Sequence, residues 1–293
     1  EAVEWLDVDE SSTTPIWADA DARFEPRAEG EAEALLDQHG ITRPFLLHTG
    51  AVDPRKNIDV LIKAFSLLPA RIQAQHCLVL AGPIEPVERA TLQASVRRHG
   101  VAAEAIVILG HVTDELLVTL YNACSAFVFP SRHEGFGLPA LEAMRCGAPV
   151  IAANATSLVE VVGDEAALFD PDDPQALATK FECVLTDPGW REERLAHARE
   201  QAERFSWART ASLAMDVFER MMASETSARA LAPAATADNS SKPRLAFVSP
   251  LPPAHTGIAN YSEELLPALA RHYDIALVTD QVEVSESLTA RFG

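Results

Sequence analysis

Two glutamates flank a glycine-rich turn near the middle of the chain. Glu134 and Glu142 enclose residues Gly135 to Leu138, which read Gly-Phe-Gly-Leu, and an apolar helical stretch from Leu138 to Cys146 follows. The first backbone N–H groups of a helix lack intrahelical partners and carry the positive end of its dipole, so they can bind a phosphate. Glycines at such a junction allow a ligand to approach the backbone closely. The pattern therefore predicts a phosphate-binding turn with a carboxylate on each side.

The spacing of the two glutamates disfavours a pair of acid and base catalysts. Eight helical positions would place their backbones about 12 Å apart, and an extended turn would increase that distance. Enzymes that hydrolyse glycosidic bonds hold their two carboxyl groups about 5 to 9.5 Å apart. We therefore expect one long ligand that is held at two places with its phosphates between them. A sugar joined to a nucleotide by a diphosphate has that shape.

A basic pair lies about eighty residues upstream. Phe45 to Gly50 reads as a buried strand that ends in glycine, and the helical period of apolar residues begins at Ile58. Between them stand Arg55 and Lys56, and Asn57 is the expected N-cap of the helix. Open α/β sheets bind ligands at the carboxyl ends of their strands, so the two cations are expected at that edge.

Strand-like and helical runs alternate from Phe45 to about Asp170, which predicts a doubly wound parallel sheet with helices on both faces. The fold class is therefore α/β. The predicted strands are Phe45 to Thr49, Cys77 to Ala81, Ala105 to Leu109, Ala126 to Phe129, Pro149 to Ala152 and Ala167 to Phe169. Three further helices are predicted, at Pro174 to Thr186, Trp190 to Arg204 and Trp207 to Ala223.

The residues around the glutamates also carry a resemblance to a known family. The string HEGFGLPALEAM at 133–144, followed by CGAPVIAANATSLVEVVGDEAALFDPDDP at 146–174, resembles the donor-binding signature of the retaining GT-B glycosyltransferases of family 4, or glycosyl transferases group 1. The arrangement G-x4-R-K-N from Gly50 to Asn57 resembles that family's site for the donor diphosphate. The resemblance implies a GT-B C-terminal, Rossmann-like donor domain.

The resemblance assigns roles to site residues by position. It implies that Glu134 lies against the donor sugar, that the Gly-Phe-Gly-Leu backbone meets sugar and diphosphate, and that Glu142 binds the ribose hydroxyls. Arg55 and Lys56 would stabilise charge on the departing nucleoside diphosphate, as a metal ion does in other transferases. The backbone around Gly110 to Val112 is a candidate contact for the base. The expected catalytic residues are Glu134, Arg55 and Lys56, and the expected donor-binding residues are Gly50, Arg55, Lys56, His111, Val112, Glu134, Gly135, Phe136, Gly137, Leu138 and Glu142.

Three acidic stretches resemble metal sites, but we expect no required metal and no other cofactor. Asp7–Asp9 and Asp19–Asp21 have the form D-x-D, and Asp170–Asp173 adds a cluster of hard oxygen ligands. All three lie in acidic, loop-like surroundings. The third is expected to form the turn that starts the helix at Pro174.

Length, cysteine spacing and net charge indicate which classes of protein fit this sequence. The length of 293 residues suggests about two domains. No apolar run in the sequence approaches the ~20 residues of a membrane span. The four cysteines show no C-x-x-C spacing, so we expect reduced core residues in a cytoplasmic protein. The net charge of −19 disfavours binding to nucleic acid. Residues 1–39 alone hold twelve acidic side chains against Arg23 and Arg27.

The chain changes character near its C-terminal end. Of the twenty residues 224–243, fourteen are Ala, Ser, Thr or Pro, which is typical of a linker. A strand at Arg244 to Ser249, a helix at Ile258 to His272 and a strand at Tyr273 to Thr279 then predict the opening β-α-β of another Rossmann-like domain. The string SPLPPAHTGIANYSEELLPALARHYDI at 249–275 resembles the start of an acceptor-side GT-B domain. The expected organisation is an acidic lead-in (1–40), a donor domain (41–223), a linker (224–243) and the truncated start of a second transferase (244–293).

These patterns together predict a glycosyltransferase fragment. Because the chain starts without methionine, we expect a window from a tandem enzyme similar to bacterial mannosyltransferases of O-antigen synthesis. The expected partners are a nucleotide-sugar donor, GDP-mannose or a UDP-sugar, and a glycan or lipid-linked oligosaccharide acceptor. Peripheral association with the inner face of the membrane or with a polysaccharide assembly complex is also expected. The chain alone should bind donor without efficient transfer, since acceptor groups would lie on another domain.

Two other functions remain open at this stage. One is a non-catalytic nucleotide-sugar binding module, which the four residues Arg55, Lys56, Glu134 and Glu142 disfavour. The other is a nucleotide-sugar epimerase with the GT-B fold. The residues from Gly50 to Asn57 favour a transferase over this epimerase.

Overall fold

The computed structural model describes residues 13–27, 32–229, 242–253, 257–279, 281, 284–285 and 288–290. Its contacts form two units, one of residues 19–204 and one of the described residues before 19 and after 204. The stretch Asp7–Asp9 and residues 230–241 of the expected linker lie outside the described residues. Within the described part of the chain, no helix is both long and apolar enough to cross a membrane.

A six-stranded parallel sheet forms the centre of the larger unit. Its strand order is β3-β2-β1-β4-β5-β6. The order changes direction between β1 and β4, and open α/β sheets bind ligands outside the carboxyl ends of the strands at such a point. The predicted fold class is therefore confirmed. The strands are β1 (Phe45–Thr49), β2 (Cys77–Ala81), β3 (Ile106–Gly110), β4 (Ala126–Phe129), β5 (Val150–Ala153) and β6 (Leu168–Phe169).

Among the described residues, one helix precedes these strands, and others connect them or follow the last of them. In the larger unit they are α1 (Glu33–Gln38), α2 (Ile58–Ser66), α3 (Ala70–Gln75), α4 (Pro86–Arg98), α5 (Asp114–Ala123), α6 (Leu138–Arg145), α7 (Leu158–Val162), α8 (Pro174–Thr186) and α9 (Pro188–Ala202). Short 3-10 turns lie at Pro54–Lys56, Ala103–Ala105 and Glu165–Ala167. The smaller unit contains α10 (Trp207–Arg229), β7 (Arg244–Val248), α11 (Gly257–Leu269) and β8 (Asp274–Val278).

The central strands are buried on both faces, as in parallel sheets covered by helices. All five residues of β1 and all five of β2 are buried. Phe127 of β4 packs against the edge of Tyr121 with ring centroids 5.3 Å apart, and both side chains are fully buried. Burying one such aromatic side chain contributes about 1.5–3 kcal/mol. This core fixes the strand ends from which the site loops emerge.

Each of the six predicted strands is present within one residue of its predicted bounds. The helix expected from Trp190 begins earlier, at Pro188. Asp187 caps it, because its Oδ1 accepts hydrogen bonds from the backbone N–H groups of Gly189 and Trp190 at 2.9 and 3.1 Å. Proline at the first helical position needs no donor there, so the start at Pro188 costs no hydrogen bond.

The smaller unit contains the predicted β-α-β. Strands β7 and β8 pair in parallel, from Arg244 opposite Asp274 to Val248 opposite Val278. Helix α10 contributes to the core of this unit, where Phe218 meets the edge of Tyr273 at a centroid distance of 6.0 Å. The helix also continues to Arg229, so residues 224–229 of the expected linker are helical.

Candidate functional site

The two sequence motifs meet through an ion pair. Lys56 ends the 3-10 turn after β1, and Glu134 lies in the loop between β4 and α6. Lys56 Nζ donates to Glu134 Oε1 at 2.6 Å, and the two side chains are only 20% and 15% exposed. The ammonium also lies over the ring of Phe129, 5.0 Å from its centroid. The ion pair thus lies at the carboxyl edge of the sheet, between adjacent strands.

Asn57 fixes the turn that carries Lys56 through its side-chain amide. It occupies the N-cap position of α2 with φ 57, and its side chain makes no capping hydrogen bond. Instead, Nδ2 donates to the carbonyls of Pro130 and Pro171 at 3.2 and 2.8 Å. The predicted N-cap position is thus confirmed, but the side chain joins neighbouring loops and does not cap the helix. Asn57 therefore ties the basic turn to the loop after β4.

Arg55 differs from Lys56 in its surroundings. Its side chain is 64% exposed and pairs with Asp53, through Nε to Oδ1 at 3.0 Å and Nη2 to Oδ2 at 3.1 Å. These hydrogen bonds hold the pKa of Asp53 below its usual value. The backbone carbonyl of Arg55 accepts a hydrogen bond from the N–H of Arg132 at 2.8 Å. Lys56 is therefore the cation that contacts Glu134, and Arg55 stands further out on the same turn.

The glycine turn contains two glycines with different roles. Gly137 is the N-cap of α6 at φ +104, and a Cβ there would lie 2.7 Å from Leu158 Cδ2. Gly135 is exposed, and apart from its two chain neighbours no described residue has an atom within 4 Å of the position that a Cβ would take. Phe136 and Leu138 are half-buried. Gly137 is thus required by its backbone conformation and by the packing of Leu158, whereas Gly135 leaves room for a ligand.

Glu134 is held by its backbone as well as by Lys56. Its N–H donates to Thr156 Oγ1 at 3.1 Å, and Ser157 Oγ donates to its carbonyl at 3.0 Å. Gly137 has no side chain to cap α6, so a ligand can take that place at the first turn.

Glu142 lies on α6 and accepts a hydrogen bond from a buried tyrosine. Tyr121 OH donates to Glu142 Oε2 at 3.1 Å, and Thr49 Oγ1 lies 3.2 Å from the same hydroxyl. Burial raises the pKa of Glu142 to about 7, while the hydrogen bond from Tyr121 opposes the rise. The sequence analysis missed Tyr121 and Thr49. A tyrosine in the helix before β4 is expected to be a core residue, and the ring of Tyr121 is indeed fully buried.

Glycines lie at the carboxyl ends of the first three strands, where Gly50 and Gly82 follow β1 and β2 and Gly110 ends β3. Gly50 donates its N–H to Ala81 at 2.9 Å, and Gly82 donates to Gly110 at 2.8 Å. A Cβ on Gly82, which the sequence analysis did not single out, would lie 2.2 Å from the carbonyl oxygen of Gly50. His111, exposed, and Val112, half-buried, come directly after β3, so β2 separates them from the β1 loop.

The described acidic stretches serve the local structure. Asp19 pairs with Arg145 at 2.9 Å, and Asp21 pairs with Arg23 at 2.9 Å. The stretch Asp170–Asp173 leads into α8 at Pro174, as predicted, and Asp173 caps this helix, since its Oδ1 accepts hydrogen bonds from the N–H groups of residues 175 and 176 at 2.9 and 3.0 Å. Within the described residues, no group of three or more His, Cys, Asp or Glu side chains is placed to hold a metal ion.

The larger unit is thus a doubly wound α/β domain that carries a cation, an open glycine turn and two carboxylates at the switch point of its sheet. Such a domain is suited to a phosphorylated ligand. The chain belongs to the glycosyl transferases group 1, whose family model matches residues 32–205. The predicted family and the GT-B architecture are thereby confirmed.

Individual relatives agree with this assignment. The chain is 44% identical over 192 residues to the serotype-specific mannosyltransferase WbdA of Escherichia coli, covering 66% of this chain and 24% of that protein. It is 40% identical over 196 residues to the O-antigen chain mannosyltransferase B of Escherichia coli, covering 67% and 50%. Sucrose-phosphate synthase from Thermosynechococcus elongatus superposes with a TM-score of 0.65 at 28% identity, covering 76% and 56%. The chain thus spans half or less of the length of these two mannosyltransferases.

Proposed function

We propose that this chain binds a nucleotide-sugar donor and, within the whole protein, transfers the hexosyl group with retention to a polysaccharide or lipid-linked glycan. The observation that carries the proposal is the Lys56–Glu134 contact of 2.6 Å. It brings together a cation suited to a diphosphate and a carboxylate suited to sugar hydroxyls, at the place where α/β sheets bind ligands.

The ion pair would exchange partners when the donor binds. A diphosphate carries more negative charge than a carboxylate, so it competes for Lys56. Glu134 is then released and accepts hydrogen bonds from the sugar. Arg55 can join Lys56 at small cost, because its pair with Asp53 is solvent-exposed and such pairs contribute little to stability. Recognition of phosphate and of sugar is coupled in this way.

The two ends of the donor would bind on either side of this exchange. The backbone at Gly135 is open to the sugar and diphosphate, and the N-terminus of α6 supplies positive potential. Glu142, held by Tyr121, accepts hydrogen bonds from the ribose hydroxyls. The backbone at His111 and Val112 lies further along the same sheet edge and is available to the base.

The transfer step follows from these positions. The bond between the sugar C1 and the diphosphate oxygen breaks, and its electron pair stays with the diphosphate. The acceptor oxygen bonds to C1 on the same face of the sugar, and the acceptor proton passes to the departing diphosphate. Lys56, Arg55 and the N-terminus of α6 stabilise the charge that builds on the leaving group. The proposal requires no metal, since these groups supply the positive charge.

GDP-mannose is the proposed donor, with UDP-sugars as the alternative. The support comes from the two mannosyltransferases that are 44% and 40% identical to this chain. The proposed acceptor is a growing O-antigen or related polysaccharide. We also propose a cytoplasmic location, with peripheral association at the inner face of the membrane or with an assembly complex.

Kinetics of a glutamate variant tests the catalytic part of the proposal. In the whole protein, Glu134→Ala should lower the turnover number more than it lowers donor affinity, because Glu134 orients the sugar during transfer. Glu192→Ala is the matched control, since that glutamate lies exposed on α9. Unchanged turnover in Glu134→Ala would remove this residue from the mechanism.

A further inference from the structure

His48 is a buried imidazole near the end of β1. It is 1% exposed, and its Nδ1 lies 3.0 Å from the carbonyl oxygen of Val128. A carbonyl only accepts, so Nδ1 carries the proton of the ring. Burial lowers the pKa of His48 to about 4, which keeps the ring neutral near pH 7. Nε2 therefore holds a lone pair, and it has no hydrogen-bond partner among the residues that the structure describes.

The unused lone pair borders the space in front of Gly50. Measured from the position that a Cβ on Gly50 would take, His48 Nε2 lies at 3.7 Å and Lys56 Cε at 3.6 Å. Both side chains also lie beside Phe129, whose ring centroid is 5.0 Å from Lys56 Nζ and 6.2 Å from the centroid of His48. The described side chain that brings a cationic donor to this space is that of Lys56. Buried acceptors without a donor are rare, so this arrangement calls for a partner.

We propose that His48 is a positioning residue for Lys56, and that its Nε2 accepts a hydrogen bond from the ammonium once Lys56 leaves Glu134. An ammonium has three N–H donors, so it can hold this bond and still donate to a diphosphate. The bond restrains a long, flexible side chain where the phosphates arrive. The functional part of this inference rests on the proposed donor site, whereas the hydrogen bond itself does not.

Nitrogen NMR tests the hydrogen bond without any ligand. In the full chain labelled with 15N-histidine, Glu134→Gln removes the negative charge that holds Lys56. The Nε2 resonance of His48, assigned by its absence in His48→Phe, should then move upfield toward a hydrogen-bonded value. It should return in the double variant Glu134→Gln with Lys56→Met. An Nε2 resonance that is the same with and without Lys56 would overturn the inference.

Donor affinity gives a second and independent readout. His48→Phe should weaken binding of GDP-mannose roughly tenfold, the loss of one hydrogen bond to a charged group, and should have no further effect in a Lys56→Met background. His48→Gln, whose amide oxygen can take the place of Nε2, should restore most of the affinity. His76→Phe is the matched control, because that ring also bonds to a carbonyl, Ile72 O at 2.9 Å, but precedes β2 at the opposite edge of the sheet.

The outcomes separate the two claims. Equal losses from His48→Phe with and without Lys56 would overturn the positioning role and leave the proposed function standing. If the wild-type chain binds none of the nucleotides, the proposed function fails, while the NMR comparison still decides whether His48 and Lys56 form the hydrogen bond.

Discussion

Replacing Tyr121 with phenylalanine should shift the pH dependence of nucleotide binding. The Tyr121 hydroxyl donates to Glu142 Oε2 at 3.1 Å, and this hydrogen bond lowers a pKa that burial has raised to about 7. Phenylalanine keeps the ring that packs on Phe127 and removes only the donor. The carboxylate of Glu142 then loses its stabilising partner, so its pKa must rise further.

The size of the shift follows from the energy of one hydrogen bond. A bond to a charged group contributes about 1.5–3 kcal/mol, and one pKa unit corresponds to about 1.36 kcal/mol, so the pKa of Glu142 should rise by roughly one to two units. At pH 7 about half of Glu142 is ionised in the wild type, whose pKa is about 7. In the variant about a tenth or less is ionised. The proposed contact with the ribose hydroxyls requires the carboxylate form of Glu142, so affinity at pH 7 should fall roughly fivefold or more.

Calorimetric titration of the chain with GDP and UDP between about pH 5.5 and 9 measures this shift. In Tyr121→Phe, the lost affinity should return as the pH rises above the new pKa. Thr49→Val is the control, because it removes the 3.2 Å contact with the tyrosine hydroxyl and leaves the bond to Glu142 in place. A midpoint that is the same in wild type and Tyr121→Phe would refute the role of this hydrogen bond.

Three further variants test the structure around the site. Gly137→Ala should lower the free energy of unfolding by about 2–4 kcal/mol, because the position has a positive φ and the new Cβ would clash with Leu158. The control Gly100→Ala also has a positive φ, +69, but open space among the described residues, so it should lower the free energy of unfolding by only about 1–2 kcal/mol. Asn57→Ala should cost about 2–3 kcal/mol in urea unfolding and also weaken nucleotide binding, because two hydrogen bonds that fix the basic turn are lost. Folding raises the pKa of Glu142 from 4.5 to about 7, so the folded state binds the carboxyl proton more tightly than the unfolded state does. The stability of the wild type should therefore fall as the pH rises from about 4.5 to about 7, by up to about 3 kcal/mol. Glu142→Gln should remove this dependence, which unfolding midpoints at about pH 5 and 8 would show.

Each of these variants has a result that contradicts the reasoning. Equal losses in Gly137→Ala and Gly100→Ala would exclude the clash with Leu158. An Asn57→Ala variant with wild-type stability would show that the two carbonyls need no donor. A pH dependence that persists in Glu142→Gln would assign it to other groups.

The sheet was predictable because its strands are nearly continuous apolar runs bounded by glycine or proline. Phe45–Thr49 and Cys77–Ala81, for example, are buried at every position, as their sequences indicate. The glutamate-flanked turn was predictable for a related reason, since glycines before a helix start mark a backbone that a ligand can approach.

The partners within the site were not predictable from sequence. Lys56 and Glu134 are 78 positions apart, and only the pairing of β1 with β4 brings them together. Asn57 has the residue type of an N-cap, but its left-handed φ turns the amide toward two carbonyls from other loops. The hydroxyl of Tyr121 belongs to a residue whose ring reads as core, so its bond to Glu142 has no signal in one sequence.

Calorimetric titration of this chain with GDP, UDP, GDP-mannose and UDP-glucose is the decisive test of the proposed donor site. The wild-type chain should bind at least one nucleotide sugar, with GDP-mannose ahead of UDP-glucose. Lys56→Met should weaken that binding, whereas Lys63→Met, on the exposed face of α2, should leave it unchanged. If the wild-type chain binds none of the four compounds, the proposed donor site is wrong.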